Sequence, residues 1–200
     1  MIYLILDELT NCLQLKIVYF GPALSGKTTS LKVLFDHFGK RKQVLSIESS
    51  INRTLFFDYG TILFENKNLL LKLHIYSTTG QDFYMITRPI TLQAIDGIIF
   101  VADSQSSAYH RNLTSWNELC NYFEERIVNL PKVIVFNKQD KGDKFSPKDF
   151  LSHINYFKFN NVAFEKTIAI NGEGVLDSFE RIVSLILNNL YESLINPLMQ

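Results

Sequence analysis

Cysteine is scarce in this chain. Cys12 and Cys120 are the two present, with no Cys-x-x-Cys spacing, so neither a disulfide framework nor a zinc site is expected. Net charge is absent too: Lys plus Arg is 20 and Asp plus Glu is 20. Nothing in that balance, and no basic run, calls for nucleic acid or an anionic membrane as partner. Long apolar runs are missing. Met1 to Leu6 is apolar but stops at Asp7-Glu8 and has no basic start, so it reads neither as a spanning helix nor as a signal peptide. Ile2 rules out N-myristoylation, and Pro197-Leu198-Met199-Gln200 offers no cysteine for prenylation. His37, His74, His110 and His153 are scattered without metal-ligand spacing. Repeats, low-complexity tracts and Pro/Ser linkers are likewise lacking. What remains is a cytoplasmic chain of 200 residues, the size of one domain with a sizeable core.

Against that background one segment stands out. Gly21-Pro22-Ala23-Leu24-Ser25-Gly26-Lys27-Thr28 fits the phosphate-binding pattern G-x-x-x-x-G-K-[ST] at every fixed position. The apolar run Leu15–Phe20 before it reads as a buried strand, and Thr28–Phe35 after it, beginning Thr28-Thr29, reads as a helix. Strand, loop and helix in that order surround an anion with backbone N–H groups and a helix N-terminus. Lys27 would reach the β and γ phosphates, and the Thr28 hydroxyl would bind Mg²⁺.

The remaining elements alternate. Thr54–Glu65 and Asn68–Tyr76 flank the turn Asn66-Lys67 and read as a hairpin. Asp96–Val101 and Lys132–Phe136 are short, continuously apolar strands of the kind parallel sheets require. Ser107–Val128 has helical character, Pro147–Ile154 a short helix, and Val162–Ile170 is a last strand. Val175–Ile195 is a long amphipathic helix with an apolar stripe from Val175 through Phe179, Ile182 and Ile186 to Leu194. Trp116, mid-helix, reads as packing. The pattern predicts a P-loop α/β fold, a doubly wound, mostly parallel sheet with one antiparallel hairpin strand and helices on both faces. One domain covers 1–200, with 1–12 as an added edge strand or an arm. Ligand should lie beyond the carboxyl ends of the strands.

A phosphate loop alone does not separate ATP from GTP. The strand ending at Phe136 runs into Asn137-Lys138-Gln139-Asp140, starting 110 residues beyond Lys27. Guanine presents N1–H and N2–H₂ on one edge, so one carboxylate, Asp140, can accept both; adenine offers no such pair. Asn137 would brace the loop, and the Lys138 stem would lie over the ring face. Ala169-Ile170-Asn171-Gly172 ends the last strand, where a backbone N–H could bond guanine O6.

This motif set resembles the Ras-like small GTPases. Within them the chain is similar to the bacterial mutual gliding protein (MglA) family, from about Leu15 to Leu190. The most specific stretches are Lys16–Pro22, Gly26-Lys27-Thr28-Thr29, Arg53-Thr54-Leu55-Phe56-Phe57-Asp58, and Asp96 through Gln105. The resemblance implies that Thr54 binds Mg²⁺ and senses the γ-phosphate, and that Arg53 is an intrinsic arginine finger. It implies that the Gly80 N–H bonds the γ-phosphate and that Gln81 orients the attacking water. Two positions depart from the usual pattern. Ser77 stands where ordinary small GTPases have the Asp that orients a Mg²⁺-bound water, although the resembled family also has a hydroxyl there. Asp58, four residues beyond Thr54, is the candidate replacement. Ala23 stands where Gly is usual and crowds the space of Gln81 and any Arg finger, so hydrolysis should be slow without an activator. Ser25, for a Cys common in the family, should be neutral.

The expected function is a GTP/GDP switch whose surfaces at about 40–58 and 80–89, with Phe83 and Tyr84, meet effectors. By resemblance the activator is a dimeric Roadblock/LC7-type protein, the biology is cell polarity or gliding motility, and recruitment is to a cell pole. Two other readings stay open: a pseudo-GTPase that holds nucleotide without turning it over, and an ATP-dependent P-loop kinase or ATPase.

Overall fold

The computed structural model describes residues 5–7, 11–39, 45–48, 54–66, 69–78 and 91–195, with the side chains of 5–7, 45–48, 54–57, 66, 69 and 194–195 left undescribed. Among the described residues eight strands form one sheet: β1 (Ile5–Asp7), β2 (Cys12–Phe20), β3 (Leu45–Glu48), β4 (Thr54–Asn66), β5 (Leu69–Thr78), β6 (Gly97–Asp103), β7 (Lys132–Asn137) and β8 (Val162–Lys166). Among the described residues four α-helices have both ends placed: α1 (Lys27–His37), α2 (Tyr109–Phe123), α3 (Pro147–His153) and α4 (Val175–Ile195). The order across the sheet is β3-β4-β5-β2-β6-β7-β8. From β5 to β8 every neighbouring pair is parallel, and β4 pairs antiparallel with β5 from Phe57↔Thr78 to Asn66↔Leu69. The expected hairpin and mostly parallel sheet are therefore both present.

The antiparallel part is larger than expected. β3 adds to β4, and β1 pairs with the start of β2 from Ile5↔Gln14 to Asp7↔Cys12. β5 fills one edge of β2 along Cys12–Tyr19, whereas β6 takes the other edge at Ile17–Phe20. β1 therefore lies on the β6 side of β2, covering backbone groups that would otherwise have no ladder partner.

The sheet is wound on both faces, which is why β6 is buried at all seven positions and reads as continuous apolar sequence. One face packs Leu31, Leu34 and Phe35 of α1 and the predicted stripe of α4 against Leu15, Ile17, Tyr19, Leu73 and Ile75. Leu194 of that stripe falls outside the described side chains. The other face packs Trp116 and Leu119 of α2 and Phe150 of α3 against Val18, Phe100 and Phe136. Trp116 meets Phe100 edge-on, with ring centroids 5.0 Å apart.

Two boundaries differ from the sequence reading. The helical stretch at 107–128 is broken, because Glu124 takes φ +51° and the chain continues as a 3₁₀ turn over Glu124–Val128. The last strand stops at Lys166 rather than Ile170, since beyond Phe136↔Lys166 no neighbouring pair with β7 remains. Residues after it fold into a turn closed by an Ile168↔Glu173 bridge.

Candidate nucleotide site

The site is built where β2, β6 and β7 end. The loop after β2 turns at Gly21 with φ +141°, and a side chain there would run into the Val101 carbonyl of β6. Gly26 takes φ +106° as N-cap of α1, and a Cβ on it would collide with the Asn137 amide. Both glycines let backbone approach backbone. No side chain caps α1 and its first turn carries no acidic residue, so its N–H groups stay available to an anion. Leu24 sits in the left-handed region at φ +63°, 61% exposed. Ala23 is half-buried and Thr29 exposed. Lys27 is buried, with Nζ donating to the carbonyls of Gly21 and Pro22, each at 2.7 Å.

Thr28 Oγ1 donates to Asp58 Oδ2 at 2.6 Å, and Asp58 is fully buried. Asp58 is the cross-strand partner of Ser77, and Ser77 is the neighbour of Tyr19 on β2. Three side chains on adjacent strands thus share one register and one face. The hydroxyls of Tyr19 and Ser77 are buried and have no hydrogen-bond partner among the described residues, as is Ser25 Oγ in the loop itself. Burial pushes the Tyr19 phenol well above its usual range. Thr54 opens β4, opposite Glu48. Arg53, Gly80, Gln81, Phe83 and Tyr84 lie outside the described residues.

The base-side loop is held by Asn137. Its Nδ2 donates to the Ser25 carbonyl at 2.8 Å, and its Oδ1 accepts from Thr167 Oγ1 and the Ala169 N–H, both at 3.0 Å. Of the backbone N–H groups at Ala169–Gly172 considered for guanine O6, that of Ala169 is given to Asn137 and those of Asn171 and Gly172 to the Ile168 carbonyl. Lys138 takes φ +67°, and its Nζ pairs with Asp103 Oδ2 at 2.6 Å. Asp140 is exposed, with Lys141 Nζ 3.3 Å from its carboxylate. Ile170 presents an apolar side chain that is 82% exposed beside this loop.

Thr28 and Asp58 are hard oxygen donors, and the buried Ser77 hydroxyl, on the strand position paired with Asp58, has no partner among the described residues, so the chemistry of this corner would fit Mg²⁺. Among the described residues no group of three His, Cys, Asp or Glu gathers. Sequence reasoning missed Asp103, Thr167 and Tyr19. The signal for Asp103 was its place as the first charge after an apolar strand; Thr167 and Tyr19 gave none. No helix among the described residues is long and apolar enough to cross a membrane, and Cys12 and Cys120 are both free.

A glycine-turned loop between a central parallel strand and a helix, facing a second loop at the next strand ends, defines a P-loop nucleotide-binding protein of the G-domain type. The model of the ADP-ribosylation factor family matches residues 2–186, and the chain belongs to that family of small GTPases. It is 32% identical over 186 residues to the mutual gliding-motility protein MglA of Myxococcus xanthus (strain DK1622), covering 90% of this chain and 92% of that protein. It is 26% identical over 185 residues to the Ras-related protein Rab-4A of Danio rerio, covering 91% and 80%. It is 25% identical over 186 residues to the Ras-related protein Rab-5B of Plasmodium falciparum (isolate 3D7), covering 90% and 82%. The resemblance to MglA read from the motifs holds across nearly the whole chain.

Proposed function

We propose that this chain hydrolyses GTP slowly and serves as a GTP/GDP switch in bacterial cell polarity or gliding motility. The observation that carries the reading is the Asn137 amide, which ties the phosphate loop at Ser25 to the base loop and to Ala169. Phosphate and guanine recognition are thereby one unit. Lys27 exchanges its two carbonyl contacts for β and γ phosphate oxygens. Asp140 accepts the two guanine N–H groups, and Lys138 covers the ring. Thr28, Thr54 and Asp58 would hold Mg²⁺, which would neutralise phosphate charge. Gln81 orients the attacking water, Arg53 faces the charge that builds on the phosphoryl group, and the Gly80 N–H bonds the γ-phosphate. Loss of that phosphate frees the segments around Arg53 and Gly80, so effectors read the nucleotide by population shift.

A Roadblock/LC7-type activator and polar recruitment are proposed by likeness to MglA, and a cytoplasmic location by the scarcity of cysteine. Ala23 and Ser77 support a second reading, a pseudo-GTPase that retains nucleotide without turnover. Single-turnover GTP hydrolysis with Mg²⁺ tests both, with and without a Roadblock/LC7-type dimer and beside Arg53→Ala. Hydrolysis that the dimer accelerates and the variant loses is expected. GTP that stays intact under every condition would establish the pseudo-GTPase, and ATP displacing GTP with equal strength would remove the guanine assignment.

A further inference from the structure

We propose that Asp103 is a positioning residue for guanine: it anchors the Lys138 ammonium so that the lysine stem lies over one face of the purine. The inference rests on the guanine-nucleotide reading above. Asp103 ends β6, directly beside Asn137 on β7. Its backbone is clamped by Asn112 of α2, a residue with no exposure at all. The Asp103 N–H donates to Asn112 Oδ1 at 3.0 Å, and Asn112 Nδ2 donates back to the Asp103 carbonyl at 2.8 Å. The carboxylate, 3% exposed, is fixed through both oxygens. Oδ1 accepts the Gln105 N–H at 3.1 Å, and Oδ2 accepts Lys138 Nζ at 2.6 Å.

Lys138 needs such an anchor. Its backbone is in the left-handed region at φ +67°, which a residue with a Cβ keeps only when its surroundings impose it. Its neighbour Gln139 is held, with its N–H on the Thr167 carbonyl at 3.2 Å and its Nε2 on Ser104 Oγ at 2.7 Å. Those bonds fix the loop but not the lysine stem, which has four rotatable carbons and many rotamers. The ion pair selects one of them before nucleotide arrives, so the ordering is done in folding rather than in binding. Arg111 is a weak rival for the same carboxylate, at 3.9 Å and 51% exposed.

The test is release of a fluorescent GDP analogue from purified, nucleotide-loaded protein, chased with unlabelled GDP in Mg²⁺. Asp103→Asn keeps the Oδ1 acceptor for Gln105 and removes the charge. It should release on the order of tenfold faster, as truncating one side of a desolvated charge pair acts mainly on dissociation. Lys138→Met should do the same, the double variant should be no faster than either single one, and Arg111→Ala should stay within about twofold. Inosine diphosphate, which lacks the exocyclic amine that Asp140 reads, supplies the second readout. Stacking cover serves both bases, so Asp103→Asn should weaken GDP and IDP equally. Release at the native rate in Asp103→Asn or Lys138→Met overturns the proposal. So does a double variant whose effect is the product of the singles, or a lost GDP-over-IDP preference, which would mean general loosening of the loop. If Asp103→Asn does not fold, Asp103→Ser, which also removes the charge and keeps an acceptor for the Gln105 N–H, takes its place with the same expected and overturning results. Native protein that retains neither GDP nor GTP overturns the guanine reading itself.

Discussion

Replacing Ser77 by Asp restores the carboxylate that most small GTPases keep there, yet in this chain it should be a liability without metal. Ser77 and Asp58 are direct cross-strand partners, and both are fully buried. Their side chains share a face, with Cβ atoms about 5 Å apart as in any such pair. Two carboxylates at that distance repel by about 3 kcal/mol at an effective dielectric near 20. In EDTA the GDP-bound Ser77→Asp variant should therefore melt about 6–12 °C below the native protein. A divalent ion beside Thr28 and Asp58 removes the repulsion, so millimolar Mg²⁺ should close most of the gap. Adding Asp58→Asn should abolish the Mg²⁺ dependence. Equal losses in EDTA and Mg²⁺ would show that no cation binds between these strands, and would refute Asp58 as the substitute metal ligand.

Lys132, fully buried at the foot of β7, has its amine pushed down from 10.5 to about 7 by desolvation. Between those values the unfolded chain holds more protons than the native one, so stability should rise with pH across that window. Lys132→Met should therefore stabilise the fold by roughly a few kcal/mol at pH 7. Urea titrations should show the difference from native shrinking toward pH 10, and a difference that ignores pH would refute the reasoning. If the Ala23 methyl crowds the proposed catalytic Gln81, Ala23→Gly should raise single-turnover hydrolysis; no gain over native removes the steric argument. Tyr19→Phe deletes a buried hydroxyl without a partner among the described residues, so unfolding free energy should hold or rise by about 1 kcal/mol. A loss of that size would mean the phenol is bonded after all.

What could be read from the sequence was what the chain encodes locally. The phosphate loop, the hairpin turn, the apolar runs of β6 and β7 and the stripe of α4 each sit in one stretch whose periodicity or turn chemistry speaks for itself. What escaped depends on partners far away. Lys132 opens a run that reads as a buried strand, but nothing nearby marks the lysine itself as buried; its ammonium lies over the ring of Phe159. The Lys138–Asp103 pair joins residues 35 apart, and the Thr167 bond to Asn137 spans 30. The helix break at Glu124 is a backbone conformation that neither propensity nor apolar spacing announces. Asp58 was legible as a candidate because it stands four residues from Thr54, but its bond to Thr28 needs the sheet to exist first.

Asn137 has a consequence for how the protein matures. Its amide joins Ser25 to Ala169, contacts separated by 112 and 32 residues along the chain. A ribosome-bound chain that has exposed its phosphate loop has therefore not yet made its pocket; that must wait for the turn after β8. On the proposed reading, nucleotide binds the folded pocket, so each molecule bound stabilises the packing of the last third of the chain by mass action.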